Sequence, residues 1–452
     1  MFWRKIHVKL REWADKADRK PLVIRGARQV GKTTVINDFG KKFDQYIYLN
    51  LELDADKQPF LQFRDIEILV QALFFVKNKT YSPGKTTLLC IDEIQEVPEA
   101  LNVLRYFYEE AKHIHVIAAG SLLETIFDQK INFPVGRVEF LVLRPASFDE
   151  FLDAVKENSA LKQLQTVPLP DFAIDKLFQQ FHIYALIGGM PEIVAHYANH
   201  KDLTALAPIY ESLIASYLDD VEKYASGHTF VQVMRHVIRA VFVEAGNRIK
   251  FEGFGKSNYR SREIGEALRT LEKALIAQLI YPHTGYSLPI IPDFRKSPRL
   301  QVLDTGMLNY FLGVQRQMLG SSDLTQVYQG KLVEHLVGQE LLAGQFNALS
   351  ALHFWVREKN TSMAEVDYIY NYKGKLVPIE VKSGAVGKLK SLHLYMEGAN
   401  HNMAVRFYAG NISIDRVSTP AGKAFYLLNL PYFLTSQIEP YLSWMEQQIS
   451  KH

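Results

Sequence analysis

The sequence predicts an α/β fold built on a parallel sheet, and three observations carry that expectation. Gly26-Ala27-Arg28-Gln29-Val30-Gly31-Lys32-Thr33 completes a GxxxxGK[ST] pattern, entered from the apolar run Leu22-Val23-Ile24 and leading into a helical stretch. About 60 residues later the run Thr86-Thr87-Leu88-Leu89-Cys90-Ile91 ends on adjacent carboxylates, Asp92 and Glu93. Between and beyond these, apolar strand-like runs alternate with helical segments up to about residue 155, the alternation of a parallel sheet covered by helices.

Each part of the first motif has a chemical reason. Gly26 and Gly31 let the backbone curl so that the N–H groups of Ala27, Arg28, Gln29, Val30, Gly31, Lys32, Thr33 and Thr34 can face phosphate oxygens, while the helix that follows adds its positive end. Lys32 is placed to reach the β- and γ-phosphates, and the Thr33 hydroxyl to ligand Mg²⁺. The cofactors expected are therefore ATP and Mg²⁺. Asp92 would hold the Mg²⁺ through water, and Glu93 would orient and polarise the attacking water at the end of its strand. A further run, His115-Val116-Ile117-Ala118-Ala119, ends in Gly120-Ser121. Ser121 is either a polar sensor of the γ-phosphate or part of a simple turn.

Composition narrows the class. The 452 residues allow two to four domains, 48% of them are hydrophobic, and no internal repeat or low-complexity tract interrupts them. The longest apolar runs fall short of the roughly 18 residues of a membrane span, so no membrane partner is expected. Met1-Phe2-Trp3-Arg4-Lys5 leads into a mixed charged and apolar helix rather than a signal peptide. One cysteine, Cys90, excludes an intramolecular disulfide and sits as a core thiol in an apolar strand. A cytoplasmic location follows as the expectation. Net charge of +3 neither marks nor excludes a polyanion binder.

Four segments are expected. Residues 1–155 form the nucleotide-binding core, with strands Leu22–Arg25, Tyr46–Leu51, Thr87–Ile91, His115–Ala119 and Val138–Leu143. Residues 156–225 read as a helical connector around the break Gly188-Gly189-Met190-Pro191. In residues 226–315, Ile264, Leu268, Leu271, Leu275 and Leu279 mark one helical face, with Arg262, Arg269 and Lys273 on the other and Arg260 just before. Short strands follow near Leu279-Ile280-Tyr281 and Arg299–Val302, the outline of a winged helix whose basic helix could enter a DNA groove. A packing scaffold with solvated charges fits the same pattern.

Residues 325–452 carry the second cluster. Glu365–Tyr370 reads as one strand with Glu365, Asp367 and Ile369 on one face, and Val377–Lys382 as its partner, with Glu380 and Lys382 sharing a side. The loop Asn371–Lys375 suits the hairpin. Asp367 and Glu380 together make a hard-oxygen pocket for Mg²⁺ or Mn²⁺, a second metal beside that of the nucleotide. Lys382 could position water and stabilise developing charge, and Glu334, on the helix Gly330–Phe346, could add a carboxylate. Charged residues on the solvent face of a hairpin would look the same.

Over nearly its whole length the chain resembles bacterial and archaeal AAA-type ATPases with a C-terminal region of restriction-endonuclease-like fold. The resemblance rests on Gly26–Thr34, Leu89–Gln95, Gly120-Ser121, Gly136-Arg137, Leu143–Phe151, Gly188–Glu192, Asp304-Thr305-Gly306, and Glu334, Asp367, Glu380-Val381-Lys382. It implies an ATPase core, a helical connector, a winged helix and a PD-(D/E)xK nuclease-like domain. There Asp367 and Glu380 would hold metal, Lys382 would assist hydrolysis, and Glu334 would support the site. All four positions are filled, although many such domains bind without cutting. Arg137 could act on a neighbouring subunit's nucleotide in a homo-oligomer, or pair with Glu139 or Glu150, and Arg144 is equally ambiguous. A DNA-coupled ATPase and a nucleotide-dependent switch that binds DNA or protein without cutting are the two leading readings, ahead of a small-molecule kinase, for which the chain lacks an evident acceptor-binding segment and is far longer than required.

Overall fold

Leu22–Arg25 (β1) is a strand because Leu22 and Ile24 point to one apolar core while Val23 points to the other. A computed structural model of the protein describes residues 2–120, 136–224, 227–315, 330–359, 362–384 and 389–450. With Gln45–Asn50 (β2), Thr87–Asp92 (β3), Ile114–Gly120 (β4) and Glu139–Val142 (β5), β1 forms an all-parallel sheet in the order β2-β3-β4-β1-β5. Every residue of β3 is buried, as a strand covered by helices on both faces must be. Helices Ile66–Val76 and Pro98–Glu110 cover the Val23 face, and Ile6–Ala14 and Lys32–Gly40 the Leu22 face. β4 lies between β1 and β3, so the phosphate loop and the Asp92-Glu93 pair open at the same sheet edge.

Helices Asn158–Leu164, Ile174–Ile187, Pro191–His200 and Ala207–Tyr224 follow. Helices His228–Val243 and Ser261–Lys273 then precede the antiparallel pair Ala277–Ile280 (β6) and Arg299–Val302 (β8), with Pro282–His283 (β7) between them in sequence. The helix ends earlier than the apolar spacing predicts. Leu275 adopts a positive φ, and the Leu279 N–H returns to Glu272 Oε1 at 3.0 Å, so Leu279 belongs to β6.

Two close chain crossings tie these parts together. A Cβ on Gly189 would stand 2.1 Å from the Ala146 carbonyl oxygen, and one on Gly306 would stand 1.9 Å from that of Ile187. Only glycine permits those approaches. Asp304 accepts from the Gly189 N–H at 2.6 Å and from Met307 N–H at 2.9 Å, closing the crossing with buried hydrogen bonds.

The C-terminal part opens with the helix Gly330–Ala343, shorter than predicted. Phe354–Lys359 (β9) and Ser362–Val366 (β10) form a small sheet with β7. Tyr368–Tyr372 (β11), Lys375–Val381 (β12), Met403–Tyr408 (β13), Ser413–Ser418 (β14) and Ala424–Pro431 (β15) make a mixed sheet, order β11-β12-β13-β15-β14. Lys373 and Gly374, both at positive φ, form the two-residue hairpin turn. The single strand expected over Glu365–Tyr370 is instead broken at Asp367, with β10 and β11 in different sheets. The Asp367 carbonyl accepts from Arg299, and its carboxylate accepts from the Val381 N–H at 2.7 Å, so this residue leaves the ladder.

A nucleotide site and a buried carboxylate cluster

At the phosphate loop Gly31 adopts φ +92°, which turns the chain into the helix that starts at Lys32. Lys32 is buried, and its Nζ donates to the carbonyls of Gly26 at 2.9 Å and Ala27 at 3.0 Å. Burial lowers its pKa, opposed by the charges of Glu93 and Asp92. The Thr33 hydroxyl donates to Asp92 Oδ2 at 2.6 Å, and Tyr48 donates to the same oxygen at 2.9 Å. Glu93 sits at φ +50°, where the strand ends, and burial raises its pKa while Gln95 and Lys32 oppose the rise. A cavity of about 490 Å³ is lined by Arg28, Gln29, Gly31, Lys32, Thr33, Thr34 and Glu93. Ala27 and Val30 are packed in the core behind it. Ser121 lies outside the described residues.

Other parts of this site were not foreseen. Pro191 and Glu192 form the wall opposite the loop. Helix Ala207–Tyr224 grips the loop, through an ion pair from Asp220 to Arg28 and the Tyr217 hydroxyl donating to the Arg28 carbonyl at 2.5 Å. The 188–192 motif pointed to a break but not to what it faces, and Asp220 and Tyr217 carry no local signal. Arg137 pairs with Glu109 at 3.3 Å, whereas Glu139 pairs with Lys16 and Glu150 with Arg4. Arg144 lies away from the nucleotide cavity, in a second one.

A buried polar junction leads from this core to the C-terminal helix. Glu340 accepts from the Phe148 N–H at 3.1 and 3.2 Å and from the Tyr184 hydroxyl at 2.6 Å. Burial pushes the Glu340 carboxyl up to about 7. Gln339 accepts from Thr305 N–H and hydroxyl, both at 2.7 Å.

In the C-terminal part Lys382, one residue beyond the end of β12, has its Nζ 2.6 Å from Glu380 Oε1. Asp367 is brought alongside through its bond to Val381. Glu334 lies close enough to feel the charge of Asp367, and burial first, then Asp367, raise its carboxyl above the usual carboxylate range. Burial and Asp367 raise Glu380 as well, against the pull of Lys382. Arg299, buried and read from sequence only as the start of a short strand, centres the group, 3.8 Å from both Glu334 and Glu365. Its guanidinium stacks 4.6 Å from the Tyr368 ring and 4.8 Å from that of Phe354. Among the described residues no three His, Cys, Asp or Glu side chains converge as a metal-ligand set.

The loop, Lys32, Thr33 and the paired Asp92 and Glu93 define a nucleotide-hydrolysing site on a parallel sheet, the site of an AAA-type P-loop ATPase domain, a class that uses ATP and Mg²⁺. Residues 18–152 match the family described as AAA domain. Residues 178–318 and 329–430 each match a family described as a domain of unknown function. No protein of curated function matches the chain. Among solved structures, the Walker-type ATPase of Pyrococcus abyssi is 14% identical over 69% of this chain and 96% of its own, with TM-score 0.46. The Aeropyrum pernix ORC1 protein, in complex with DNA, is 11% identical over 70% and 94%, with TM-score 0.29. AMPPCP-bound DnaA from Aquifex aeolicus is 13% identical over 59% and 86%, with TM-score 0.26. Likenesses this distant transfer no function. No helix among the described residues is long and apolar enough to cross a membrane.

Proposed function

We propose that ATP turnover at Lys32, Thr33, Asp92 and Glu93 governs a DNA-acting C-terminal half, and that the cluster of Asp367, Glu380 and Lys382 cuts DNA. In the ATPase site Lys32 would exchange its loop carbonyls for phosphate oxygens, and Thr33 and Asp92 would hold Mg²⁺. Glu93 would take the proton of the attacking water. The grip of Asp220 and Tyr217 on the loop, and the Glu340 junction, give the connector contacts through which two nucleotide states could differ.

For cleavage, the carrying observation is the gathering of Asp367, Glu380 and Lys382 at the end of β12, with Glu334 near them. The order helix, strands β9–β12, helix Lys390–Gly398, β13 supports a restriction-endonuclease-like reading. The donor set fits a hard divalent ion: Glu380 Oε2 is buried without a hydrogen-bond partner, and neighbouring carboxylates raise one another's pKa. Asp367 and Glu380 would hold Mg²⁺ or Mn²⁺, with Glu334 supporting the site. Such an ion polarises a phosphodiester and makes bound water more acidic. Lys382 would then turn its ammonium from Glu380 to the charge developing on phosphate. Helices His228–Val243 and Ser261–Lys273 with β6 and β8 would act as a winged helix, Arg260 and Arg262 facing DNA.

The second reading, binding without cutting, is favoured by one observation: among the described residues no three His, Cys, Asp or Glu side chains converge as a metal-ligand set. Plasmid and linear DNA incubated with Mg²⁺ or Mn²⁺, with and without ATP, distinguish them. Cleavage lost in Lys382→Ala supports the nuclease. Wild-type DNA binding without cleavage supports the second reading.

A further inference from the structure

Behind the phosphate loop lies a second cavity of about 400 Å³, bounded by β1 and the segment after β5, by helix Ser261–Lys273 with β6 and β8, and by helix Gly330–Ala343. Four of its lining residues are cations, Arg25, Arg144, Arg269 and Lys273, against one carboxylate, Glu272. Glu272 is already engaged by the Leu279 N–H. Arg144 Nε is buried with no hydrogen-bond partner, and so is Gln278 Oε1 on another wall. Leaving buried polar atoms unsatisfied is costly, and a guanidinium in that state calls for an acceptor, an amide oxygen for a donor.

We propose that this cavity binds a phosphorylated small molecule of mononucleotide size, its phosphates on Arg144 and Arg269 and a hydroxyl or amine donor on Gln278. Charge favours an anion, since burial and the charge of Arg25 already push Arg144 down to about 10. Apolar surface from Leu275, Leu303 and Leu342 gives the uncharged body of such a ligand a place to pack. The volume is that of a small-molecule site, bounded by three parts of the chain, rather than of a groove for a duplex. Arg25 immediately precedes Gly26, so an occupant here sits directly behind the ATP site and would contact core and C-terminal helix together.

The probe is radiolabelled ADP in equilibrium dialysis with the full-length chain. Two saturable sites per chain are expected, one lost in Lys32→Ala and the other weakened about tenfold or more in Arg144→Gln, with neither left in the double variant. Arg269 is exposed, so Arg269→Gln tests the same site without a folding risk and should weaken the same class of binding. A single site, abolished by Lys32→Ala and unchanged by Arg144→Gln and Arg269→Gln, would overturn the proposal. Displacement of the second ADP by a short oligonucleotide more readily than by pyrophosphate would overturn the choice of a small molecule.

Discussion

The Thr33 hydroxyl donates to Asp92 Oδ2 at 2.6 Å, joining two motifs 59 residues apart. The bond holds the two prospective Mg²⁺-binding groups together, and the adjacent Glu93 lines the same cavity. Tyr48, from β2, fixes the same Asp92 oxygen from the other side.

Replacing Lys32 with Ala should weaken ATP binding by removing the cation that meets the phosphates. Glu93→Gln should retain Mg²⁺–ATP binding and slow hydrolysis at least about tenfold, because the amide is no base for the water. Nucleotide affinity and phosphate release measured on both proteins separate these roles. Full turnover in Glu93→Gln would move the role to another carboxylate.

The stability that Glu340 contributes should be lost as pH rises from about 4.5 to 7. In that window the folded chain keeps Glu340 protonated while the unfolded carboxyl has ionised, so folding binds a proton that higher pH withdraws. The full shift corresponds to roughly 3 kcal/mol. Asp304, raised by burial to about 6, acts in the same direction between about 3.8 and 6. In denaturant titrations the stability of Glu340→Gln relative to wild type should therefore rise across that window. A difference between the two proteins that stays constant from about pH 5 to 7 would exclude this role for Glu340.

Gly189→Ala should destabilise the protein by about 1–3 kcal/mol or more, since the new methyl carbon would meet the Ala146 backbone at 2.1 Å. A melting temperature within a degree of wild type would mean the crossing relaxes freely.

Asp367→Ala should lose metal binding and DNA cleavage together, and Lys382→Ala should lose cleavage while keeping much of the metal affinity. ATPase activity should survive both changes, because Lys32 and Glu93 stand in another part of the chain. Cleavage persisting equally in both variants would place it elsewhere.

Arg260 and Arg262 are exposed at the start of helix Ser261–Lys273. If they meet phosphates, changing both to Ala should weaken DNA binding and reduce the log-salt slope by about one unit per contact. Unchanged affinity and slope would leave that helix a scaffold.

Local motifs made much of the ATPase half readable. Gly26–Thr33 and Asp92-Glu93 carry their chemistry in short patterns, because a phosphate loop and a strand-end carboxylate pair are built by neighbouring residues. The spacing of Glu380 and Lys382 likewise announced a shared side, since alternation in a strand is local. Asp367 was legible as a residue and misread as a conformation. The bond from Arg299 that breaks its strand comes from 68 residues away.

Local patterns suffice to say which residue types can bind phosphate, and that apolar runs alternating with helices build a parallel sheet around them. Long-range packing alone buries Arg299 among Glu334, Glu365 and Asp367, sets Asp220 and Tyr217 against Arg28, and turns Arg144 to a cavity behind the loop. Hydrophobic burial brings distant segments together without regard to their polar partners. The charges it traps must then be satisfied by whatever side chains the fold has placed nearby, and no local pattern records that choice.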